Sequence, residues 1–278
     1  MNRRHWRRPG AALALVFLIA LAGIPPSLRA QAPASSSAKI WIERRGAIEE
    51  YLRTADVVKI DQIGTGVTSP RRAYTAPGGP VDSFTWKPIT PRRYKGFWES
   101  YKSEIAAYEL DKLLALDMFP PAVERTLDGD LGAAVMWASP TKSFKQLGGF
   151  PHPPPAQLAR WNRQIIRAKM IDNLIANIDP NLGNWLVDPD WNVILIDHSR
   201  SFTNTRKMTH EMTRIDVELW ARIQALDQKG LAAALGEWLS PDEIDWLLGR
   251  RATMKTIIDA LVTQRGEAAV FVRAPGPL

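Results

Sequence analysis

The sequence contains no cysteine among its 278 residues. This absence excludes disulfide bonds, thiolate nucleophiles and zinc sites built on cysteine. Histidine is also scarce, with four residues in the whole chain. A metal site in this protein would therefore use mainly oxygen ligands, which suit hard cations such as Mg²⁺ or Mn²⁺.

A long hydrophobic run is also missing near the N-terminus. The apolar run at 11–23 has 13 residues, whereas a bilayer-spanning helix needs about 20. Arginines precede this run, two prolines follow it, and small residues at 30–32 suit a cleavage site. The pattern predicts a secretory signal peptide at 1–32 and an exported protein, periplasmic or secreted. The alternative is an uncleaved N-terminal membrane anchor. In either case only this segment would contact the membrane.

The positive charge of the chain is concentrated in the same segment. The full sequence has 36 Lys+Arg and 29 Asp+Glu, a formal net charge of +7. Residues 1–32 hold five arginines and no acidic residue, which leaves +2 for the remainder. The remainder therefore gives no reason to expect a nucleic-acid partner. The full sequence is 45% hydrophobic and 23% charged, which is typical of a globular protein.

Between a linker at 33–40 and a tail at 275–278, the length suits one large domain or two closely packed lobes, and the pattern of apolar residues predicts the elements. Residues 41–137 are predicted to form a small α+β N-terminal lobe. Its predicted elements are a helix at 41–54, strands at 57–63, 67–75 and 83–89, a helix at 99–116, and strands at 122–127 and 133–137.

Residues 138–274 are predicted to form a mainly helical C-terminal lobe. Its predicted elements are a long helix at 156–175, a polar loop at 177–184, a hairpin with strands at 185–187 and 193–196, and helices after residue 209. The fold class is therefore α+β, with a small antiparallel sheet and one helix packed beside a helical lobe.

The segment from Asn177 to Phe202 carries the clearest functional pattern. Asp179 and Asn184 lie in the polar loop, and Asp197 ends the second strand of the hairpin. Two carboxylates and an amide at one end of a hairpin suit a divalent cation that bridges phosphate groups. Asx turns would also explain Asp and Asn in loops. They would not explain an acidic residue that ends an apolar strand, where a carboxylate is costly without a cation or donors.

This segment resembles the catalytic and metal-binding loops of the atypical protein-kinase-like superfamily, which includes phosphoinositide kinases, HipA-type bacterial toxin kinases and secreted Golgi casein kinases. Their loop reads Asp-Arg-His-x-x-Asn, and a later strand ends in Ile-Asp followed by His, Asn or Phe. Asp179 and Asn184 match the loop, and Ile196-Asp197-His198 matches the strand. Pro180-Asn181 replaces the Arg-His of the family. The resemblance covers roughly residues 57–205 and implies a two-lobed kinase-like fold.

The resemblance also implies roles for individual residues. Asp179 would position the acceptor hydroxyl, while Asn184 and Asp197 would bind Mg²⁺ or Mn²⁺. Lys87 would hold the phosphates of ATP, and Glu104 would orient Lys87. Taken alone, Lys87 suits a solvated strand position, and Glu104 suits a charged helix surface.

Further nucleotide contacts are implied by position. Gly64 and Gly66 stand between the first two predicted strands, where a phosphate-covering loop belongs, although an ordinary hairpin turn would also use them. Met136 would lie in the segment that faces adenine. Glu99 and Glu109 compete with Glu104 for the same role if the helix register differs.

Other polar residues near this segment have open roles. Arg200 would contact phosphate or pair with Asp179 or Asp188. His198 is interpreted as a structural hydrogen-bond partner. Lys142 and Lys145 are interpreted as members of a solvated loop.

The function implied by the resemblance is that of an exported, ATP-dependent phosphotransferase. Its partners would be a nucleotide and a hydroxyl acceptor, protein or small molecule, that the sequence does not identify. Two alternatives stay open: an inactive pseudokinase that acts as a binding module, and a nucleotidyl transferase on the same fold.

Overall fold

The computed structural model describes residues 37–64, 70–94 and 96–274. The predicted signal peptide, Gly66 and the tail lie outside the described residues. Ser36–Leu278 forms one compact unit, and its division at residue 137 stays a prediction. Within the described ranges, no helix has both the length and the apolar character needed to cross a bilayer.

The N-terminal part combines short strands with two helices. Its elements are α1 (Arg45–Thr54), β1 (Val57–Gln62), β2 (Arg71–Thr75), β3 (Ser83–Lys87), β4 (Arg92–Tyr94), β5 (Phe97–Glu99), α2 (Tyr101–Leu113), β6 (Ala122–Leu127) and β7 (Asp130–Met136).

Five of these strands form an antiparallel sheet in the order β1-β2-β3-β7-β6. Alternate residues of β7 face opposite sides because side chains alternate along a strand. Ala133 and Val135 pack in the cluster that contains the apolar face of α2. Ala134 and Met136 pack in a second cluster with residues of α1. The two helices therefore cover opposite faces of the sheet.

The C-terminal part is mainly helical and contains a small three-stranded sheet in the order β10-β9-β8. Its elements are β8 (Lys142–Ser143), a 3-10 turn (Pro155–Gln157), α3 (Leu158–Leu174), β9 (Trp185–Val187), β10 (Val193–Leu195), β11 (Ile215–Asp216), α4 (Val217–Gln224), α5 (Gln228–Leu235), α6 (Pro241–Arg265), α7 (Glu267–Val270) and β12 (Phe271–Val272).

The long helix α6 begins at a complete capping box. The Ser240 hydroxyl accepts from the Glu243 N–H, and the Glu243 carboxylate accepts from the Ser240 N–H. Pro241 occupies the first turn, where no backbone donor is needed. Helix α6 packs on α3, and α3 leads directly into the polar loop at 177–184.

The structure differs from the predicted elements in several places, among them the short strand β8, where a loop was predicted. The connection between β3 and α2 contains the extra hairpin β4–β5, whose strands have only three residues each. The region after residue 209 also contains β11, which pairs in parallel with β12. The third strand ends at Lys87 instead of residue 89, because Pro88 lacks the N–H that a further ladder bond would require.

A segment before α1 contacts several parts of the chain. The Ser37 hydroxyl and the Ala38 N–H donate to Oδ2 of Asp188 at 3.0 and 2.9 Å. Lys39 Nζ donates to the Asp117 carbonyl oxygen at 2.5 Å. This N-terminal strap thus joins the turn between β9 and β10 to the connection after α2.

Helix α2 begins at a point fixed by both parts of the structure. Its N-cap, Ser100, accepts from the Lys102 N–H through its hydroxyl. The Ser100 N–H donates to the Ser199 carbonyl at 2.9 Å, and the Tyr101 N–H donates to Ile89 at 2.9 Å. The first turn of α2 is therefore held against the segment that follows β10, which carries Asp197.

Candidate active site

Lys87 is the centre of a buried ion cluster. Its Nζ lies 2.6 Å from Oε1 of Glu104 on α2 and 2.7 Å from Oδ1 of Asp197 after β10. The Lys87 side chain is 7% exposed, and that of Glu104 is 2% exposed. The structure thus brings together three predicted site residues that lie 17 and 110 positions apart from Lys87 in sequence.

The charges in this cluster control its protonation. Burial favours the neutral form of Lys87, but the carboxylates of Asp197 and Glu104 outweigh burial and raise the pKa of Lys87. Burial likewise disfavours the ionised form of Asp197, but the charge of Lys87 outweighs it and lowers the pKa of Asp197. Lys87 and Asp197 are consequently placed to work in their charged forms at neutral pH.

Asp197 occupies an unusual backbone position. Its φ is +66°, in the left-handed region that aspartate tolerates better than most residues. The hairpin ladder extends one step past β10, since the Ile196 N–H donates to the Asn184 carbonyl at 3.0 Å. Asp197 therefore follows directly after the residue paired with Asn184. The chain then turns so that the Ser199 hydroxyl donates to Asp197 Oδ1 at 3.4 Å.

The loop that carries Asp179 is shaped by asparagine side chains. Asn177 Oδ1 accepts from the Asp179 N–H at 3.1 Å, which makes an Asx turn. Asn181 Nδ2 donates to Asp179 Oδ1 at 3.0 Å, and Asn184 Nδ2 donates to the Asp179 carbonyl at 3.2 Å. The Asp179 side chain remains 39% exposed, so an acceptor can reach its carboxylate.

Two of the predicted metal ligands have the right chemistry for Mg²⁺ or Mn²⁺. Because Asn184 Nδ2 is engaged with the loop, its Oδ1 is directed away from that contact. Among the described residues, neither Asn184 Oδ1 nor Asp197 Oδ2 has a hydrogen-bond donor. Within the same ranges, no three His, Asp or Glu side chains lie close enough together to hold a metal by themselves. An amide and one carboxylate suit a cation whose other ligands are phosphate and water.

Arg200 pairs with two acidic residues. Its Nε and Nη2 donate to Oε1 of Glu99 at 2.8 and 2.5 Å, and its Nη1 lies 3.5 Å from Oδ2 of Asp179. Its guanidinium also lies 4.9 Å from the centre of the Phe97 ring. Of the roles considered for Arg200, the structure shows the contact with Asp179 and adds Glu99. The observed partner of Glu99 is thus Arg200, and that of Lys87 on α2 is Glu104.

His198 lies next to the ion cluster but is buried among apolar groups. Its ring stacks on Phe119 with centroids 4.2 Å apart. Burial lowers the pKa of His198, so the ring is neutral at physiological pH. Its Nε2 has no hydrogen-bond partner among the described residues. The predicted hydrogen bond from this side chain is therefore not seen at Nε2, and packing on Phe119 is its observed contact.

The remaining predicted nucleotide contacts have simple positions. Gly64 lies at an exposed bend just after β1. Met136 is buried at the end of β7 and pairs with Phe84 on β3. Their contact with a nucleotide stays a prediction.

A buried polar network under the loop was not predicted. Asp172 on α3 accepts from Asn177 Nδ2 at 2.9 Å, and its other oxygen lies 2.9 Å from His210 Nε2. Asn173 exchanges hydrogen bonds with the backbone of His210. Asp172 and Asn173 interrupt the apolar end of α3. Polar residues at such positions need hydrogen-bond partners, so they were the sequence signal for a buried network.

Comparisons with known proteins bear on the fold. No protein-family model matches the chain, and no curated protein matches it significantly. Among solved structures, hydra Fam20 with sugar has a TM-score of 0.62 at 15% identity, covering 82% of this chain and 92% of that chain. The Golgi casein kinase with Mn and ADP bound has a TM-score of 0.60 at 14% identity, covering 84% and 80%.

A third solved structure is the Helicobacter pylori proinflammatory kinase CtkA. It has a TM-score of 0.50 at 10% identity and covers 77% of this chain and 96% of that chain. At such identities the likeness concerns the fold alone, and it confirms the fold predicted from the loop sequences. The chain has an atypical protein-kinase-like fold, with an antiparallel sheet in its N-terminal part and a mainly helical C-terminal part.

Proposed function

We propose that this protein is an ATP-dependent phosphotransferase that acts on a hydroxyl acceptor. The observation that carries the proposal is the contact of Lys87 Nζ with both Glu104 and Asp197. A lysine as buried as Lys87 needs at least one carboxylate, and here it has two. The second, partly exposed carboxylate belongs to the residue that the loop pattern assigns to a metal.

Each residue of the candidate site would have its own role in phosphoryl transfer. Lys87, oriented by Glu104, would bind phosphate oxygens of ATP. Asp179 would accept a hydrogen bond from the acceptor hydroxyl and take its proton. The acceptor oxygen would bond to the γ-phosphorus as the bond from that phosphorus to the bridging oxygen breaks, and ADP would leave.

A divalent cation fits the same site. Asn184 Oδ1 and Asp197 Oδ2 would hold Mg²⁺ or Mn²⁺, which when bound neutralises charge on the phosphates. The presence of Mn and ADP in a solved Golgi casein kinase supports testing both cations here. The chain's own contribution is fixed geometry, because Asn184 pairs with Ile196 in the hairpin ladder and Asp197 is the next residue.

The test begins with nucleotide binding by the full chain. ATP with Mg²⁺ or Mn²⁺, at about a hundredfold excess over Kd, should raise the melting temperature by about 5 °C. Asp197→Asn should remove most of this rise. Asp190→Asn, at the half-buried turn between β9 and β10, is the matched control and should keep it. An absence of any shift in the wild type would overturn the assignment.

Labelled ATP separates the proposed reaction from its alternatives. A kinase would transfer label from γ-labelled ATP to itself or to an added hydroxyl acceptor. Transfer from α-labelled ATP would indicate a nucleotidyl transferase. Nucleotide binding without either transfer would indicate a pseudokinase that serves as a binding module.

Export belongs to the same proposal. The signal pattern at 1–32 would direct the domain to the periplasm or outside the cell, with the acceptor in that compartment. The intact mass of the exported protein would test this point. A mature chain that begins near residue 33 supports export with cleavage, and a full-length chain in the membrane fraction supports the anchor.

A further inference from the structure

The loop of the candidate active site lacks a positive charge. Residues 179–184 read Asp-Pro-Asn-Leu-Gly-Asn and include no lysine or arginine. In phosphoryl transfer, charge spreads over the oxygens of the transferred group, and fixed cations that meet those oxygens stabilise the transition state. Lys87 would approach the phosphates from the sheet. Beside a divalent cation at Asn184 and Asp197, a cationic side chain that adjoins the loop would give the transferred group a further positive contact.

Two cations lie beside this loop in the described structure. Arg200 is the first, and its guanidinium is already engaged by Glu99 and Asp179. Lys145, which follows β8, is the second. Its N–H donates to the Leu182 carbonyl at 2.9 Å. Its side chain passes over Gly183, since a Cβ built on that glycine would lie 4.0 Å from Lys145 Cδ.

The position next to Gly183 connects Lys145 to Asp179. Asn181 Oδ1 accepts from the Gly183 N–H at 2.8 Å, and Asn181 Nδ2 donates to Asp179 Oδ1 at 3.0 Å. Asp179, Asn181 and Gly183 thus form one compact turn. The ammonium of Lys145 lies two bonds beyond Cδ, within the length of a side chain that already adjoins this turn.

The backbone of Lys145 is held rigidly although its side chain is exposed. Phe144 is fully buried against Trp185, and its N–H donates to the Trp185 carbonyl at 2.8 Å. The Gly148 N–H donates to the Lys145 carbonyl at 3.1 Å, which closes the turn. Among the described residues, no acidic group lies within ion-pair distance of Lys145. The backbone position is therefore fixed, and the ammonium is available for a ligand.

We propose that Lys145 is a catalytic residue that binds an oxygen of the γ-phosphoryl group of ATP. This inference rests on the proposed function. Lys145 lies in an exposed turn, as the sequence predicts, and the proposal adds a ligand for it because that turn is bonded to the candidate catalytic loop. The acceptor hydroxyl at Asp179 and the ammonium of Lys145 would then meet the transferred group from the same lobe.

The sharpest test compares ATP with ADP. Lys145→Gln should weaken the binding of ATP with Mg²⁺ by about tenfold and leave the binding of ADP within about twofold, because ADP lacks the γ-phosphoryl group. Lys145→Arg should retain most of the preference for ATP. The dissociation constants can be measured on the full chain by calorimetry.

Lys142→Gln is the matched control. Lys142 is also exposed and lies three positions earlier on β8, where it pairs with Val187 instead of the loop. Lys142→Gln should change neither the dissociation constant of ATP nor that of ADP. Equal losses for ATP and ADP in Lys145→Gln, or equal effects of Lys142→Gln, would overturn this inference while nucleotide binding itself stands. A wild type that binds no nucleotide would overturn both the inference and the proposed function.

Discussion

Arg200 and Glu99 join the segment after Asp197 to the start of α2 through two hydrogen bonds to a single carboxylate oxygen, at 2.8 and 2.5 Å. Both side chains are largely buried, with 14% and 2% exposure. Because the same arginine also lies 3.5 Å from Asp179, it links the position of α2 to that of the candidate catalytic loop.

We expect Arg200→Ala to lower the free energy of unfolding by about 3 kcal/mol, since it leaves the buried Glu99 carboxylate without its partner. The double variant with Glu99→Ala should cost less than the sum of the two single variants. Chemical denaturation measures all three. Arg93→Ala, in the exposed part of β4, should change stability by less than about 0.5 kcal/mol. Strict additivity of the pair would contradict the coupling.

The ion cluster around Lys87 gives a second prediction. Lys87→Met should lower the free energy of unfolding by about 3 kcal/mol, because two carboxylates then share a buried place without a cation. Adding Glu104→Gln should recover at least about 1 kcal/mol. Both variants should lose the stabilisation by ATP. Lys255→Met, which breaks an exposed pair with Asp259, should cost less than about 0.5 kcal/mol.

Asp111 gives the chain a specific dependence on pH. Its carboxylate is fully buried and accepts from the Met118 and Phe119 N–H groups at 2.7 and 3.1 Å. Burial outweighs these bonds and raises its pKa to about 6. A carboxyl group whose pKa is higher in the folded than in the unfolded state favours folding while protonated. Its contribution is complete below pH 4 and is lost as the pH rises through 6.

The stability of the wild type relative to Asp111→Asn should therefore fall by about 2 kcal/mol between pH 4 and pH 7. Urea denaturation at several pH values measures this difference. Asp117→Asn is the control, because Asp117 contacts the same Arg45 but its side chain is 41% exposed. A pH-independent difference between wild type and Asp111→Asn would show that the Asp111 pKa is not raised.

Gly132 permits β7 to approach the backbone of Lys87 and Pro88 closely. A Cβ at this position would lie 2.5 Å from the Lys87 carbonyl oxygen and 2.6 Å from Pro88 Cα. Gly132→Ala should destabilise the fold by about 2 kcal/mol and weaken ATP binding, because it displaces Lys87. Gly249→Ala, in the interior of α6 with open space around it, should raise stability by about 0.5–1 kcal/mol. Unchanged ATP binding in Gly132→Ala would contradict the displacement.

Much of the site was accessible from the sequence because its residues lie at the ends of regular elements. Lys87 ends an apolar strand, Glu104 lies one turn into a helix, and Asp197 follows an apolar hairpin strand. The resemblance to the kinase-like superfamily, matched onto those elements, predicted that the three residues meet. The pairing of Arg200 with Glu99 was not predicted, because the β4–β5 hairpin is too short to give a periodic pattern.

Other features depend on contacts that periodicity does not encode. Lys145 has the sequence surroundings of a solvated lysine, and only the bond from its N–H to Leu182 shows which loop it adjoins. Asp111 occupies a helix position that charge patterning would place in solvent. Its burial results from the return of the chain at Met118 and Phe119, which brings two backbone donors to its carboxylate.

The N-terminal strap has a practical consequence for making this protein. A recombinant chain that starts after Ala38 would leave Oδ2 of Asp188 without two of its donors, and one that starts after Lys39 would also lose the bond to Asp117. Expression designs that trim the leader should therefore retain Ser37. An affinity tag is better attached behind residue 274 than fused immediately before this contact.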